Sequence, residues 1–518
     1  MSLLRSSAAI SAMTLISRVL GLVRDMVFFH IFPVGGATDA FFAANRIPNL
    51  LRRFVAEGAF SLAFVPVLTE YKEKQDQQVI RDLISHVSTS LGVILFIISV
   101  LGVIFAPIIM MIFAPGFFTK VDAEPELAIS LLRITFPYIF FISLSALASG
   151  ILNTWGRFAV PAFTPVLLNV SMIIAMVVFA PYFERPITAV AWGVFFGGLM
   201  QLAFQLPALY RLGYIPKFRF KRRHKGVSQV LKLMVPALLG SSVAQISLLI
   251  NTVIASMLGL GFVTWLYSSD RLVELPLALI GVALGVVILP TLSADFANTN
   301  LDKFRQKLSW AIQLALLVAL PAMLGLMVLA KPILGTIIYK AGAWHDIDMA
   351  SMSLITYAFG LPAFILVKVL VPGFYARKDS KTPVRIGIYA VLLNIALSVL
   401  IVYPWYQSGL PAPHAGLALA VALAGYANAI ALAVVLYRQG LLELDKSWLT
   451  YVFRLGLASI VMVLLLFFIN PELAWWRTEN VSFRVAMLFG LISVAAVSYL
   501  AVLQLLGMNF KCLIKPPA

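Results

Sequence analysis

The residues of this sequence with the most chemistry to offer are cations placed inside apolar stretches. MTLISRVLGLVRDMVFF carries Arg18, Arg24 and Asp25, with Ser17 beside the first arginine. ATDAFFAANRIPNLLRRFVAEGAF, from Ala37, carries Asp39, Arg46, Arg52, Arg53 and Glu57, and SSDRLVELP, from Ser268, carries Asp270, Arg271 and Glu274. Lys368 stands alone in a further apolar run. An ionisable side chain at the centre of a bilayer costs roughly 2.5–3.5 kcal/mol on insertion scales, so such a set needs an aqueous cavity, partner charges, or both. Arginine's planar fork binds phosphate bidentately, so an anionic, phosphorylated ligand is the chemistry these groups would serve.

Structural readings compete at each position. Arg18 and Asp25, seven residues apart, share a helix face, while Arg24 points about 120° away from Arg18. One acid neutralises one arginine, so an ion pair or snorkelling accounts for only part of the group, and an anion-binding cavity is favoured. In the second stretch Pro48 cannot donate its amide and interrupts the register of facing angles. Beyond it Arg53 and Glu57 are i,i+4 neighbours that satisfy one another, which makes Arg52 the stronger candidate for a ligand. Asp39 reads equally as a functional acid and as a helix N-terminal acid stabilised by the dipole. Arg271, between Asp270 and Glu274, forms either a structural triad or part of the cavity. Lys368 either joins that cavity or snorkels.

Other chemistries lack their residues. There is no GxxxxGK[ST] loop, and His30, His86, His224, His345 and His414 show no metal-ligand spacing. Cys512 is the single cysteine, which excludes an internal disulfide, a Cys-rich metal site and a CxxC motif. No nucleophile stands in a readable motif with a histidine and an acid. The expectation is a non-enzyme with no cofactor or metal. Movement of a ligand would then draw on its own gradient, a coupled monovalent cation, or the membrane potential, worth about 2.3 kcal/mol per charge per 100 mV, which favours outward transfer of an anion.

The elements that must position these groups are membrane helices. Of 518 residues, 61% are hydrophobic and 12% charged, with a mean hydropathy of +0.97; a soluble domain carries roughly 25% charged residues. The net charge of +17 is scattered in short clusters between apolar runs, as in membrane proteins with basic cytoplasmic anchors, and does not point to nucleic acid. Runs of about 20 apolar residues give about fourteen spans, centred near Val19, Val55, Leu95, Phe140, Ile173, Phe196, Leu248, Ala278, Leu316, Pro362, Leu392, Val421, Val461 and Ile492. Alternate connections hold about 24 Lys and Arg against about 5 in the other set, which places both termini in the cytoplasm and requires an even number of spans. The first thirty residues read as an uncleaved helix, because Arg18 and Arg24 interrupt the apolar stretch and no small-x-small site follows. The basic, aromatic loop RLGYIPKFRFKRRHKGVSQVLK from Arg211 reads first as a topology anchor and second as a headgroup-binding segment.

A weak internal repeat recurs at a shift of about 221–225 residues. FVPVLTEY at Phe64 is answered by ILPTLSADF at Ile288, and ITFPYIFF at Ile134 by ITYAFGLP at Ile355. GILNTWGRFAVPAFTPVLLN, Gly150 to Asn169, is answered by GFYARKDSKTPVRIGIYAVLLN, Gly373 to Asn394. Arg271 then corresponds to Arg46. A shift of six spans keeps the copies parallel and relates them by a pseudo-twofold axis along the membrane normal, with a cleft between them. The expected fold is an all-α polytopic membrane protein. Its parts are an N-lobe over 1–215, a basic cytoplasmic linker over 216–232, a C-lobe over 233–440, and two extra helices with a short tail over 441–518.

These stretches also carry a family resemblance. The segment from SAMTLISRVLGLVRDMVFFHIFPVGG through ATDAFFAANRIPNLLRRFVAEGAFSLAFVPVLTEY, together with AQISLLINT, YSSDRLVELPLALIGVALGVVILPTLS and VKVLVPGFYARKDSKTPV, resembles the MurJ (MviN) family of bacterial lipid II flippases over essentially the whole chain. The resemblance implies a member of the multidrug/oligosaccharidyl-lipid/polysaccharide exporter superfamily, with fourteen helices and a groove for the prenyl tail on the last two. It implies transport of undecaprenyl-pyrophosphate-linked disaccharide-pentapeptide, lipid II, from the cytoplasmic to the periplasmic leaflet of the inner membrane by alternating access, for peptidoglycan synthesis. Membrane lipids are the other expected partners, with association with the cell-wall synthesis machinery in prospect. It implies substrate contacts at Arg18, Arg24, Arg52 and Arg271, and gating or supporting roles at Asp39 and Glu57, with Ser17 next to the first arginine. The family's sodium site, known for some members, has no matched carboxylates here. A flippase for another polyprenyl-linked glycan is the alternative reading. A drug or cation antiporter would need an acidic cleft, which the arginines oppose.

Overall fold

The computed structural model describes residues 3–52, 60–120, 122–219, 225–340, 342–443 and 446–508, and every regular element among them is helical. Two compact units form, Met1–Val263 and Thr264–Ala518. The first contains α1 (Leu3–Ile31), α2 (Gly36–Arg52), α3 (Phe60–Lys74), α4 (Gln77–Ile104), α5 (Ala106–Phe113), α6 (Gly116–Thr119), α7 (Pro125–Thr135), α8 (Tyr138–Thr154), α9 (Ala159–Ile174), α10 (Ile187–Leu212) and α11 (Lys225–Leu258). Helix α12 (Phe262–Pro276) starts at the boundary. It is followed by α13 (Ala283–Ala297), α14 (Leu301–Val328), α15 (Ala330–Ile333), α16 (Trp344–Phe359), α17 (Leu361–Tyr375), α18 (Lys381–Gln407), α19 (His414–Arg438), α20 (Lys446–Ile469), α21 (Leu473–Thr478) and α22 (Val481–Leu505).

Among the described residues, ten helical paths are long and apolar enough to cross a membrane. The remaining four expected spans fall on α1, on the α2–α3 pair, on α11, and on α12 with α13. Three of those four are the ones that carry the ionisable groups. The centre expected at Val55 lies outside the described residues.

The repeat has a structural counterpart in the backbone. The turn between α8 and α9 bonds Arg157 N to Leu152 O (2.8 Å) and Gly156 N to Asn153 O (3.0 Å), with Gly156 left-handed at φ 72°. The turn between α17 and α18 bonds Asp379 N to Phe374 O (3.1 Å) and Lys378 N to Tyr375 O (2.9 Å), with Lys378 left-handed at φ 61°. All four positions are displaced by 222 residues. A like correspondence, at a shift of 224 residues, holds for α4 and α14, each 28 residues long. Their ends are bonded alike, Phe105 N to Leu101 O (2.8 Å) and Leu329 N to Gly325 O (2.9 Å).

Packing and repeat divide the chain at different places. The repeat assigns α11 to the second half, whereas α11 packs inside the first unit, against α2 to α6. Glycine makes that possible at α6: a Cβ on Gly116 would lie 1.8 Å from the Ser256 carbonyl oxygen, and the Gly116 amide donates to Ser256 Oγ at 3.3 Å. Within the first unit buried amides join the helices. Gln205 Nε2 donates to Ser145 O (3.0 Å), and Gln201 Nε2 to Thr164 O (3.0 Å), the side-chain bonding between helices that replaces the hydrophobic drive in lipid.

Candidate functional site

In the first unit the candidate residues are held by α1, α2 and α9. Helix α1 packs along α9 and, through Phe28 and Phe29, against Phe41 and Phe42 of α2, with ring centroids 4.9–6.0 Å apart. One turn before Phe28, Arg24 donates to Asp25 Oδ1 through Nε (2.9 Å) and Nη2 (2.5 Å) and to Asn169 Oδ1 of α9 through Nη1 (3.2 Å). Asn169 Nδ2 returns a hydrogen bond to the Ser17 carbonyl (3.1 Å). A single amide thus joins two turns of α1. The Arg24 and Asp25 side chains are 13% and 5% exposed, a desolvated pair whose members depend on one another.

Asp25 therefore pairs with its neighbour Arg24, where the shared helix face had pointed to Arg18. Adjacent helical side chains leave about 100° apart, but the long arginine stem wraps back across that angle. Arg18 is half-buried and forms no hydrogen bond or ion pair among the described residues. The same holds for Arg46. Arg52 donates through Nε to Asn49 Oδ1 at 3.3 Å. Arg53 and Glu57 lie outside the described residues. Asp39, buried in the first turn of α2, accepts the amide of Gly261 at 2.6 Å, so it both starts a helix and fixes the turn that leads into α12. Arg18, Arg24, Arg46 and Arg52 stand against Asp25 and Asp39 in this set, and Asp39 is engaged by a backbone amide.

In the second unit a polar spine fixes α12. Trp265 Nε1 donates to Asp346 Oδ1 (3.0 Å), Ser268 Oγ bonds the Tyr339 hydroxyl (2.8 Å), and Ser269 Oγ donates to the Ala350 carbonyl (2.8 Å). With that face buried, Asp270, Arg271 and Glu274 remain half-buried, and Arg271 Nη1 meets Glu274 Oε2 at 3.2 Å. Lys368, read from the sequence as a cation inside an apolar run, is exposed on α17. Its helix instead meets the π-helical turn Leu277–Val282 and α13 through Gly281 and Gly285, where a Cβ on Gly285 would stand 2.7 Å from the Lys368 carbonyl. That carbonyl lies four residues before Pro372, which has no amide hydrogen to offer it.

Asn169 and the Trp265–Asp346 spine were missed because neutral amides and indoles look like ordinary span residues. The signal for Asn169 was the LLN that ends both copies of the repeat.

A family model described as "Lipid II flippase MurJ" matches residues 28–494. The chain belongs to the MurJ family. It is 44% identical to the "Probable lipid II flippase MurJ" of Vibrio cholerae serotype O1, over 98% of this chain and 97% of that protein. It is 40% identical to the "Lipid II flippase MurJ" of Burkholderia cenocepacia, over 98% of each. A solved structure, "Lipid II flippase MurJ, inward closed conformation", superimposes with a TM-score of 0.79 at 27% identity, over 98% of this chain and 99% of that one. An inward-facing MATE-family transporter of the MOP superfamily shares the fold, with a TM-score of 0.66 at 15% identity over 84% of this chain and 98% of that one. The MurJ match begins beyond Arg18 and Arg24; the full-length relatives carry the family assignment across α1.

Proposed function

We propose that this protein is a lipid II flippase. It carries undecaprenyl-pyrophosphate-linked disaccharide-pentapeptide from the cytoplasmic to the outer leaflet of the bacterial inner membrane for peptidoglycan synthesis. The observation that supports the site is Arg24, desolvated and tethered by Asp25 and Asn169, with Arg18, which forms no ion pair among the described residues, two turns away. In the proposed step the diphosphate takes the planar forks of Arg18, Arg24 and Arg52, with Arg271 as the fourth cation. Asp25 and Asn169 hold Arg24 in position, which spares the cost of ordering a long side chain when the ligand arrives. Glu274 plays the corresponding part for Arg271. Ser17, Asp39, Arg46, Arg53, Glu57, Asp270 and Lys368 are proposed as supporting or gating groups.

Alternating access of lobes 1–215 and 233–440 moves the headgroup while the prenyl tail stays in lipid against the helices of 441–518. Both termini lie in the cytoplasm, no bond is made or broken, and the membrane potential or a monovalent cation drives the outward step. Association with cell-wall synthesis proteins would place delivery at the site of use. Reconstituted transport of several polyprenyl-linked sugars tests the substrate: preference for the muropeptide headgroup supports the reading, and equal or better transport of another glycan replaces it.

A further inference from the structure

Helices α20 and α22 pack on α14. On α22 the buried stripe is Arg484, Leu488, Leu491, Ala495, Tyr499 and Leu503, at intervals of three and four residues. Phe467 and Phe468 of α20 and Phe489 of α22 stay exposed. Hydrogen bonds from the packed faces end on backbone carbonyls of α14 and its extension: Tyr451 Oη to Gln313 O (2.7 Å), Tyr499 Oη to Leu317 O (2.9 Å) and Arg484 Nη1 to Gly335 O (3.1 Å).

Leu317 is the acceptor that sets this contact apart. It stands four residues before Pro321, inside α14. Proline has no amide hydrogen, so the Leu317 carbonyl loses its intrahelical donor, and in an apolar setting some other group must supply one. Tyr499, 3% exposed, does so. The repeat supplies an internal control. Helix α4 matches α14 at a shift of 224 residues, and the position corresponding to Pro321 is Ile97, half exposed. Proline therefore interrupts the copy of this helix that the C-terminal pair covers, and the other copy keeps an ordinary residue with its amide there.

We propose that α20 and α22 form a clamp on the proline turn of α14, with Tyr499 as the positioning residue that supplies the missing donor. Proline inside an α-helix removes one rung of the hydrogen-bond ladder and makes that turn the place where the helix can bend. The hydroxyl ties the proline turn to the position of α22, so any displacement of the lipid-facing pair must be answered by α14. This assignment does not rest on the identity of the transported lipid.

A double-mutant cycle on the full-length protein tests it, using Tyr499→Phe, Pro321→Ala and their combination, read by thermal unfolding in detergent and by transport after reconstitution. The Pro321→Ala change restores an amide for the Leu317 carbonyl. Tyr499→Phe should lower the unfolding midpoint and slow transport about fivefold with Pro321 present, and should add no further loss in the Pro321→Ala background. Tyr451→Phe serves as the comparison: Gln313 is followed at i+4 by an ordinary residue, so its effect should be equal in both backgrounds. Equal losses from Tyr499→Phe in both backgrounds, or no loss with Pro321, would overturn the clamp. If Tyr499→Phe fails to fold with Pro321, recovery of folded protein in the double variant supports the proposal, and failure of both contradicts it. The thermal reading stands apart from transport, so an error in the substrate would leave it intact.

Discussion

At the scale of single residues, the proposed site depends on how Arg24 is held. Its guanidinium bonds Asp25 and Asn169 oxygens, and the Met172 sulfur lies 3.9 Å from Nη1. Asn169→Ala removes the acceptor for Nη1 and the donor to the Ser17 carbonyl while leaving every charge in place. We expect transport to fall about tenfold, as for the loss of a hydrogen bond to a charged group, with normal membrane insertion; wild-type transport by a reconstituted Asn169→Ala protein would show that the amide is only packing. The arginines were legible in the sequence because charge at membrane depth is costly. The partner of Asp25 was not, because helix angles describe where side chains leave the backbone and say little about where a long stem ends. The exposure of Lys368 was not legible for a related reason: apolar sequence neighbours do not reveal which face of α17 the residue occupies.

At the scale of elements, glycines decide where helices meet. A Cβ at Gly116 or Gly285 would run into a backbone carbonyl, at 1.8 and 2.7 Å respectively, and backbone cannot step aside as a side-chain tip can. Gly116→Ala and Gly285→Ala should each destabilise by about 1–3 kcal/mol. Among the described residues nothing lies within 4 Å of the corresponding position on Gly325, and there alanine should stabilise by about 0.8–1 kcal/mol through helix propensity. Thermal unfolding of the three variants checks the contrast, and a uniform response would contradict the packing. The turn after α17 gives a pH prediction. Partial burial would raise the Asp379 carboxyl, but hydrogen bonds from the side chain and amide of Thr382, with Arg377 and the Lys381 amide, outweigh that and hold it below the ordinary carboxylate range. A group depressed in the folded state stabilises fully above its unfolded value, about 3.9, and loses that contribution as pH falls through the folded value. Asp379→Asn should therefore flatten the acid limb of unfolding midpoint against pH; an unchanged limb would remove Asp379 from the account. The repeat was readable because the second turn keeps the backbone of the first, even though Lys378 stands where Gly156 does.

At the scale of the whole molecule, hydropathy and charge alternation were enough to give an all-helical membrane protein, and the comparisons place it in the MurJ family. What composition could not give was the packing boundary. Span order follows the repeat, but α11 packs against α2 to α6 with Thr252, Ala255 and Ser256 buried, and contact surfaces of that kind leave no mark on charge or hydropathy. The α1 arginines are proposed to hold a diphosphate during transfer between leaflets. A leaflet-resolved assay of labelled lipid-linked precursor, in cells depleted of their own flippase and supplied with Arg18→Ala or Arg24→Ala at normal membrane levels, tests it most directly. Precursor should accumulate in the cytoplasmic leaflet with either variant. Delivery to the outer leaflet at the unmodified rate by both would contradict it.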